Sequence, residues 1–384
     1  MKINKLMLAL AVAASAFAAC NKQETTPVVE SGNKSVALNI ANLATKSQGT
    51  QVAEGTAVKL NSFQVFFSDG SALHAPKTVT AAAGAQTYFT GEEAVAGTYE
   101  FHFLPKAVTK VFVVGNAAQL NVTTEADLLK AVKDLSVDAQ QNPEALTLLG
   151  MDATLTASGN HAADDMAGIQ HPDPYVKAEV NLVPTVARFE VTGFEYAQVG
   201  EAVRDFSEMV VNNLSVRNFY TTATTDLAGV TTPGALDANA SLTLNTDNIY
   251  GTYFTKLVAG AWSNDNVNAT LNAANTYVHN VATVTGEGDA ATSDNKCYAY
   301  QVFPGAVPQF LVSLTGKEGG ISSPLYLMTS ALKVGETALT TIEAGKVYRM
   351  TMVFSDDNLQ APEKCVEVVI TVDDWNVIVV TPEF

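Results

Sequence analysis

The apolar stretches of this chain are short. Past the first twenty residues, Asp, Asn, Gly and Thr interrupt every one of them, so none approaches the length needed to span a membrane. What is left is a series of brief runs, many of which alternate apolar with polar residues at the period of a strand. Thr, Ala, Val and Asn are heavily used and Leu only modestly, which suits strands and turns better than helices. With 384 residues there is room for two domains with real cores.

Strands are expected at Ser35–Leu43, Val58–Phe67, Thr98–Leu104, Lys110–Gly115, Leu146–Thr156 and Leu214–Phe219. Tyr99, Phe101 and Phe103 are expected on one face, and Lys110–Gly115 reads as a buried central strand. Val176–Tyr196 carries two alternating stretches broken at Pro184. Tyr298–Phe303, Gln309–Leu314, a shorter Leu325–Leu327, Val347–Phe354 and Val366–Val372 follow. One helix stands out. Thr124 and Asp127 have capping-box spacing, and Leu128, Leu129, Val132 and Leu135 recur at helical intervals. Residues 221–295, rich in Thr, Ala, Asn, Gly and Asp, are expected to be strand-poor.

Met1–Ala19 has the layout of a secretory signal, with Lys2 and Lys5 before an apolar core from Leu6 to Phe17 and small residues at its end. Cys20 follows directly, the small-small-Cys pattern of a bacterial lipobox, so Cys20 is the expected lipidation site. Several acyl chains on one residue anchor a protein stably where a single chain does not. Asn21–Lys34 is polar and reads as a flexible leader. An exported chain is allowed a disulfide, but Cys297 and Cys365 form no recognisable motif, and a disulfide and two buried free thiols both remain open.

The formal charge of −17 excludes a phosphate-neutralising nucleic-acid binder and a polybasic membrane-surface protein. Five histidines argue against a His-rich metal site. His161, His171, Asp164, Asp165 and Asp173 fall in a loop-like segment without metal-ligand spacing. There is no GxSxG, HExxH, paired CxxC or Walker loop, so neither an enzyme nor a cofactor is expected. The tail holds the opposite kind of signal. Val377, Ile378, Val379 and Val380 form an uninterrupted β-branched run near the last residue, Phe384. Left exposed, such a strand invites aggregation. It either pairs within its own fold or adds to another molecule.

Several segments together resemble the Bacteroidetes fimbrillin family, the subunits of type V pili. These are the lipobox at Cys20, the buried strand Lys110–Asn116 and the helix after it. Val186-Ala-Arg-Phe-Glu190, Ile342–Met350 with its Gly-x-x-Tyr step, and Val368–Trp375 ending in acid and Trp complete the set. The resemblance implies a mainly β fold of two transthyretin-like β-sandwich domains with a few short helices. It implies a signal at 1–19, a leader with a removable first strand at 20–46, domains at 47–175 and 176–375, and a donor tail at 376–384. A trypsin-like protease would cut between Lys46 and Ser47, where the family typically has Arg, so a Lys-accepting protease is required. Pro184 also stands where the family often has Arg. Loss of the first strand would open a groove for a neighbour's C-terminal strand, here Trp375, Val377, Ile378, Val379, Val380 and Phe384.

The implied protein is a shaft subunit of an adhesive pilus, lipid-anchored at the outer membrane as a precursor and then extracellular. Its partners would be other copies of itself and accessory pilus subunits, head to tail, and the maturation protease. Membrane contact would be through the lipid on Cys20 alone, with no nucleic acid and no metal. A tip or anchor subunit, or a surface glycan-binding lipoprotein, are the alternatives. The apolar tail favours the shaft.

Overall fold

The computed structural model describes residues 33–42, 58–77, 86–142, 145–157, 175–197, 206–237, 261–272, 277–279, 297–317, 324–355, 365–369 and 371–374. Their order is mainly strand. In the first part of the chain these are β1 (Asn33–Asn42), β2 (Ser62–Ser68), β3 (Leu73–His74), β4 (Tyr88–Thr90), β5 (Gly97–Pro105), β6 (Lys110–Gly115), β7 (Asp134–Ser136), β8 (Leu148–Asp152), β9 (Thr156–Ala157) and β10 (Tyr175–Pro184). Next come β11 (Ala187–Tyr196), β12 (Glu208–Arg217), β13 (Thr222–Thr225), β14 (Val230–Pro233), β15 (Asn264–Asn272), β16 (Tyr277–His279) and β17 (Tyr298–Val302). The last are β18 (Gln309–Lys317), β19 (Pro324–Val334), β20 (Thr337–Ala338), β21 (Lys346–Phe354), β22 (Cys365–Val369) and β23 (Thr371–Asp374). The α-helix among the described residues is α1 (Glu125–Lys133).

The first sheet has the strand order β3-β2-β6-β8-β10-β1-β5. It curls over on itself. Phe63 and Phe67 of β2 lie against Tyr99 and Phe101 of β5, with ring centroids 5.1 and 4.8 Å apart, although the two strands are far apart in the strand order. The corner lies at β10, where only Val183 and Pro184 pair with β8. Curling buries one face of each half against the other and makes a β-sandwich. The outer face of β2 and β6 is covered as well, because Phe66, Phe112 and Val114 pack under Leu128 and Val132 of α1. Burial on both faces explains the unbroken apolar run of β6.

Helix α1 begins where the capping box expects it. Thr124 Oγ1 accepts from the Asp127 amide at 3.1 Å and donates to the Asp127 carboxylate at 2.8 Å. Glu125 and Asp127 stand in the first turn and Lys130 and Lys133 in the last, each matching the helix dipole. The helix stops before Leu135, which belongs to β7.

Past Thr185 the chain enters a second pair of sheets. One has the order β16-β11-β21-β23, with β17 also on β11. The other has the order β15-β12-β18-β19-β20, with β22 also on β19. They pack face to face. Phe189 of β11 stacks on Tyr348 at 4.8 Å and meets Phe310 of β18 at 5.6 Å, and Tyr300 of β17 lies 5.9 Å from Phe310. A small sheet β14-β13-β7 ties the two parts of the chain together. Two side chains reinforce that tie. Gln141 donates to the Gln301 carbonyl at 2.7 Å and accepts from its amide at 3.2 Å, and Trp262 Nε1 donates to Asp138 at 2.7 Å.

Several sequence expectations need correction. β15 lies inside the stretch expected to be strand-poor, and it pairs with β12 over most of its length. The expected strand Val366–Val372 is two strands in two sheets, β22 parallel to β19 and β23 antiparallel to β21. β19 is far longer than Leu325–Leu327 because it pairs with β18, β20 and β22 along its length. β2 starts only at Ser62. Val58 and Leu60 are buried outside the strand, in a segment held by Asn116, whose side chain accepts from the Asn61 amide and donates to the Lys59 and Leu146 carbonyls. Phe103 does not continue the face of Tyr99 and Phe101, because a bulge turns the strand so that Leu104 is buried instead.

Candidate assembly site

β1 lies inside the first sheet, not at its margin. It runs parallel to β10, from Ser35 opposite Tyr175 to Asn42 opposite Leu182. On its other side it runs antiparallel to β5, from Asn33 opposite Pro105 to Ile40 opposite Gly97. Leu38 stands between Ala178 and Tyr99 and is fully buried. The β10 residues facing the same core, Ala178, Val180 and Leu182, are buried too. Alternation along β10 therefore sets one wall of a strand-wide slot, and Tyr99 and Phe101 of β5 set the other.

This arrangement has a direct physical consequence. Taking β1 out would leave two unpaired ladder edges, one on β10 and one on β5, over a strip of apolar core. Edges of that kind template the addition of another strand. The strip would also expose part of the main core, which raises the drive to refill it.

The end of the chain behaves differently. β23 lies at the margin of its sheet, with Asp373 opposite Val347 and Asp374 opposite Lys346. The expected donor residues Trp375, Val377, Ile378, Val379, Val380 and Phe384 lie outside the described residues, as do Cys20, Lys46 and Ser47. The loop with His161 and His171 lies outside them as well. The structure brings together the first strand and its slot and places no other expected site residue.

A buried ionic cluster was not singled out from the sequence. Glu190 is enclosed between two arginines. Arg188 Nε donates to its Oε1 at 2.8 Å, and Arg349 donates to its Oε2 from Nε at 2.9 Å and from Nη2 at 2.7 Å. The signal lay in the charges at Arg188 and Glu190 within an apolar strand, two residues apart and so on one face. Cys297 is buried beside the cluster as a free thiol, 4.0 Å from Arg188. Burial and then the Glu190 charge push that thiol up to about 12, against the lowering effect of the two arginines. A thiol held protonated in this way is a poor nucleophile. Among the described residues no three His, Cys, Asp or Glu side chains are placed to share a metal ion. No described helix is long and apolar enough to cross a membrane.

Comparison with solved structures addresses the architecture. A fimbrilin from Porphyromonas gingivalis matches over 92% of this chain and 99% of its own, at 12% identity and a TM-score of 0.50. This chain has the fold of that fimbrilin. Candidate cell adhesion proteins from Bacteroides eggerthii and Parabacteroides distasonis match over 92% of this chain and 98% and 97% of theirs. Their identities are 16% and 13%, each with a TM-score of 0.48. The structural neighbours are thus fimbrial and adhesion proteins of Bacteroidetes. No protein-family model and no curated protein sequence matches the chain.

Proposed function

We propose that this chain is a structural subunit of a cell-surface pilus with no catalytic role, and within that class a shaft subunit. The observation that carries the reading is the seat of β1. An early strand, followed by a polar stretch with Lys46, occupies an interior slot of a sheet whose removal would open two edges at once. An apolar β-branched segment at the other end of the sequence has the right composition to fill such a slot. The fold shared with a fimbrilin supports the same reading.

In this reading the precursor is exported and lipidated on Cys20, so that it reaches the outer membrane anchored. Cleavage after Lys46 releases the leader with β1. The tail from Trp375 to Phe384 of a second copy then enters between β10 and β5. Contact from the tail of one copy to the slot of the next is heterologous and yields an open filament. The two parts of the chain act as two domains.

The test uses protein from which residues 1–46 have been removed, compared with the same protein also lacking Val377–Phe384. Both are run on gels without boiling and viewed by negative-stain microscopy. Ladders and filaments that disappear with the tail are the expected result. Folded monomers in both cases would overturn the shaft role and favour an anchor, a tip or a glycan-binding lipoprotein.

A further inference from the structure

The ladder between β1 and β5 is irregular at one point. Lys34 lies opposite Leu104, and the next pair is Val36 opposite Phe101. One residue of β1, Ser35, therefore spans two residues of β5, His102 and Phe103. This is a β-bulge, and it is what lets both Phe101 and Leu104 reach the core. Phe103 takes up the irregularity with a φ of 57°. The other non-glycine residues at positive φ are Asn116, Asn218, Asn268 and Leu227. Asparagine tolerates that region, whereas a bulky aromatic does so only under strain.

The position of this strain is what gives it meaning. β5 ends the strand order of its sheet, and β1 is its only ladder partner among the described strands. The register shift that makes the bulge is therefore one against β1, while the opposite edge of β5 is held at the same place by a backbone bond from the Lys77 amide to the His102 carbonyl at 3.0 Å. Where a strained residue persists, the surrounding structure over-determines it, and here the over-determining element is the strand in the slot.

We propose that Phe103 is a positioning residue for strand exchange, whose backbone strain loosens the seat of β1 in the slot between β5 and β10. This rests on the reading above that β1 is given up on maturation. While β1 is paired, β5 holds Phe103 in the left-handed region. When β1 leaves, that constraint leaves with it. The strain thus raises the energy of the occupied slot relative to the vacated one and eases departure of the cut strand.

The experiment uses the uncut chain and hydrogen exchange read on two peptides, one covering β1 and one covering β2. Phe103→Ala removes the ring and keeps the strain, so it is the reference. Phe103→Gly and Phe103→Asn remove the ring and relieve the strain. Relative to Phe103→Ala, both are expected to slow exchange in β1 by about three- to tenfold, with β2 unchanged. Equal or faster exchange in β1 would overturn the proposal. So would equal slowing in both peptides, which marks a stabilisation of the whole fold. Should Phe103→Ala fail to fold, the wild-type chain becomes the reference and the same direction is required of both other variants. No filament is needed for this readout, so failure of the polymerisation assay and failure of this one are separate results.

Discussion

Glu190 of β11 and Arg349 of β21 lie opposite each other in a parallel ladder, and Arg349 donates twice to one oxygen of the fully buried Glu190 carboxylate. The other oxygen accepts from Arg188, which is itself buried. One carboxylate therefore serves two guanidinium groups. Removing it takes from two neighbouring guanidinium groups the carboxylate they share in a buried site. Glu190→Ala is expected to destabilise the fold by about 3–5 kcal/mol. Replacing all three side chains together by Met or Leu is expected to change stability far less, because an apolar cluster of similar volume needs no desolvation. Urea unfolding of the single and triple variants measures both. A triple variant as unstable as the single one would mean that packing, not unpaired charge, sets the loss.

The buried thiol of Cys297 supplies a second expectation. Its high pKa and its burial both suppress the thiolate, which is the reacting species. In the native protein at pH 8, Cys297 should resist a disulfide-exchange reagent, and it should react quickly once the protein is unfolded in urea. Mass spectrometry of the labelled peptide measures this. Rapid native labelling would show that the segment covering Cys297 opens readily.

These two sites show what the sequence made legible and what it did not. β6 and α1 were clear because a run buried on both faces and a capped amphipathic helix are local patterns. Elements set by distant partners were not. Leu135 continues the helical spacing of α1, yet it belongs to β7, which pairs with β13. Val366, Val368, Ile370 and Val372 keep one face apolar through the segment, and that continuity hid the change of sheet after Val369, where apolar Val369 interrupts the polar face. β15 did carry a signal in Val267, Ala269 and Leu271, but the surrounding Asn, Asp and Thr residues masked it. The candidate site divides in the same way. That residues near Ser35–Leu43 form a strand was legible, but its seat between β10 and β5 was not, because pairing with β10 joins distant parts of the chain. The bulge at Phe103 was hidden by the regular spacing of Tyr99, Phe101 and Phe103.

Gly150 marks the place where β8 passes β10 at the corner of the curled sheet. A Cβ there would lie 2.5 Å from the Asn181 carbonyl oxygen and 2.7 Å from Val180 Cγ1. The carbonyl is backbone in the strand that also holds β1, so it has little freedom to move. Gly150→Ala is expected to lower stability by about 1–3 kcal/mol, the range for forcing an extra carbon into a packed core. Thermal unfolding measures it. An unchanged melting temperature would show that the two strands can separate at the corner without loss.

Asp69 makes the fold sensitive to acid at one turn. Its carboxylate is hydrogen-bonded to His74 Nε2 at 2.8 Å, and it accepts from the amides of Ala72 at 2.8 Å and Ser71 at 2.9 Å. The His74 contact first, and then the two amides, hold this carboxyl well below the usual range for Asp. A depressed pKa in the folded state means that the folded protein binds the proton less readily than the unfolded chain. The stabilising contribution is therefore complete above the unfolded pKa, near 4, and declines as the pH falls towards the folded value. Asp69→Asn keeps an oxygen for the two amides but does not titrate. The stability gap between wild type and Asp69→Asn should be widest above about pH 5 and should narrow steadily below about pH 4. Melting temperatures of both proteins across that range measure it. The same turn meets the start of α1, where the Leu73 amide donates to the Thr123 carbonyl and the Glu125 amide to the Ser71 carbonyl. Loss of the Asp69 contacts should therefore loosen the helix from the sheet before the second pair of sheets responds, and a gap that stayed constant across the whole range would assign the stabilisation to shape rather than to charge.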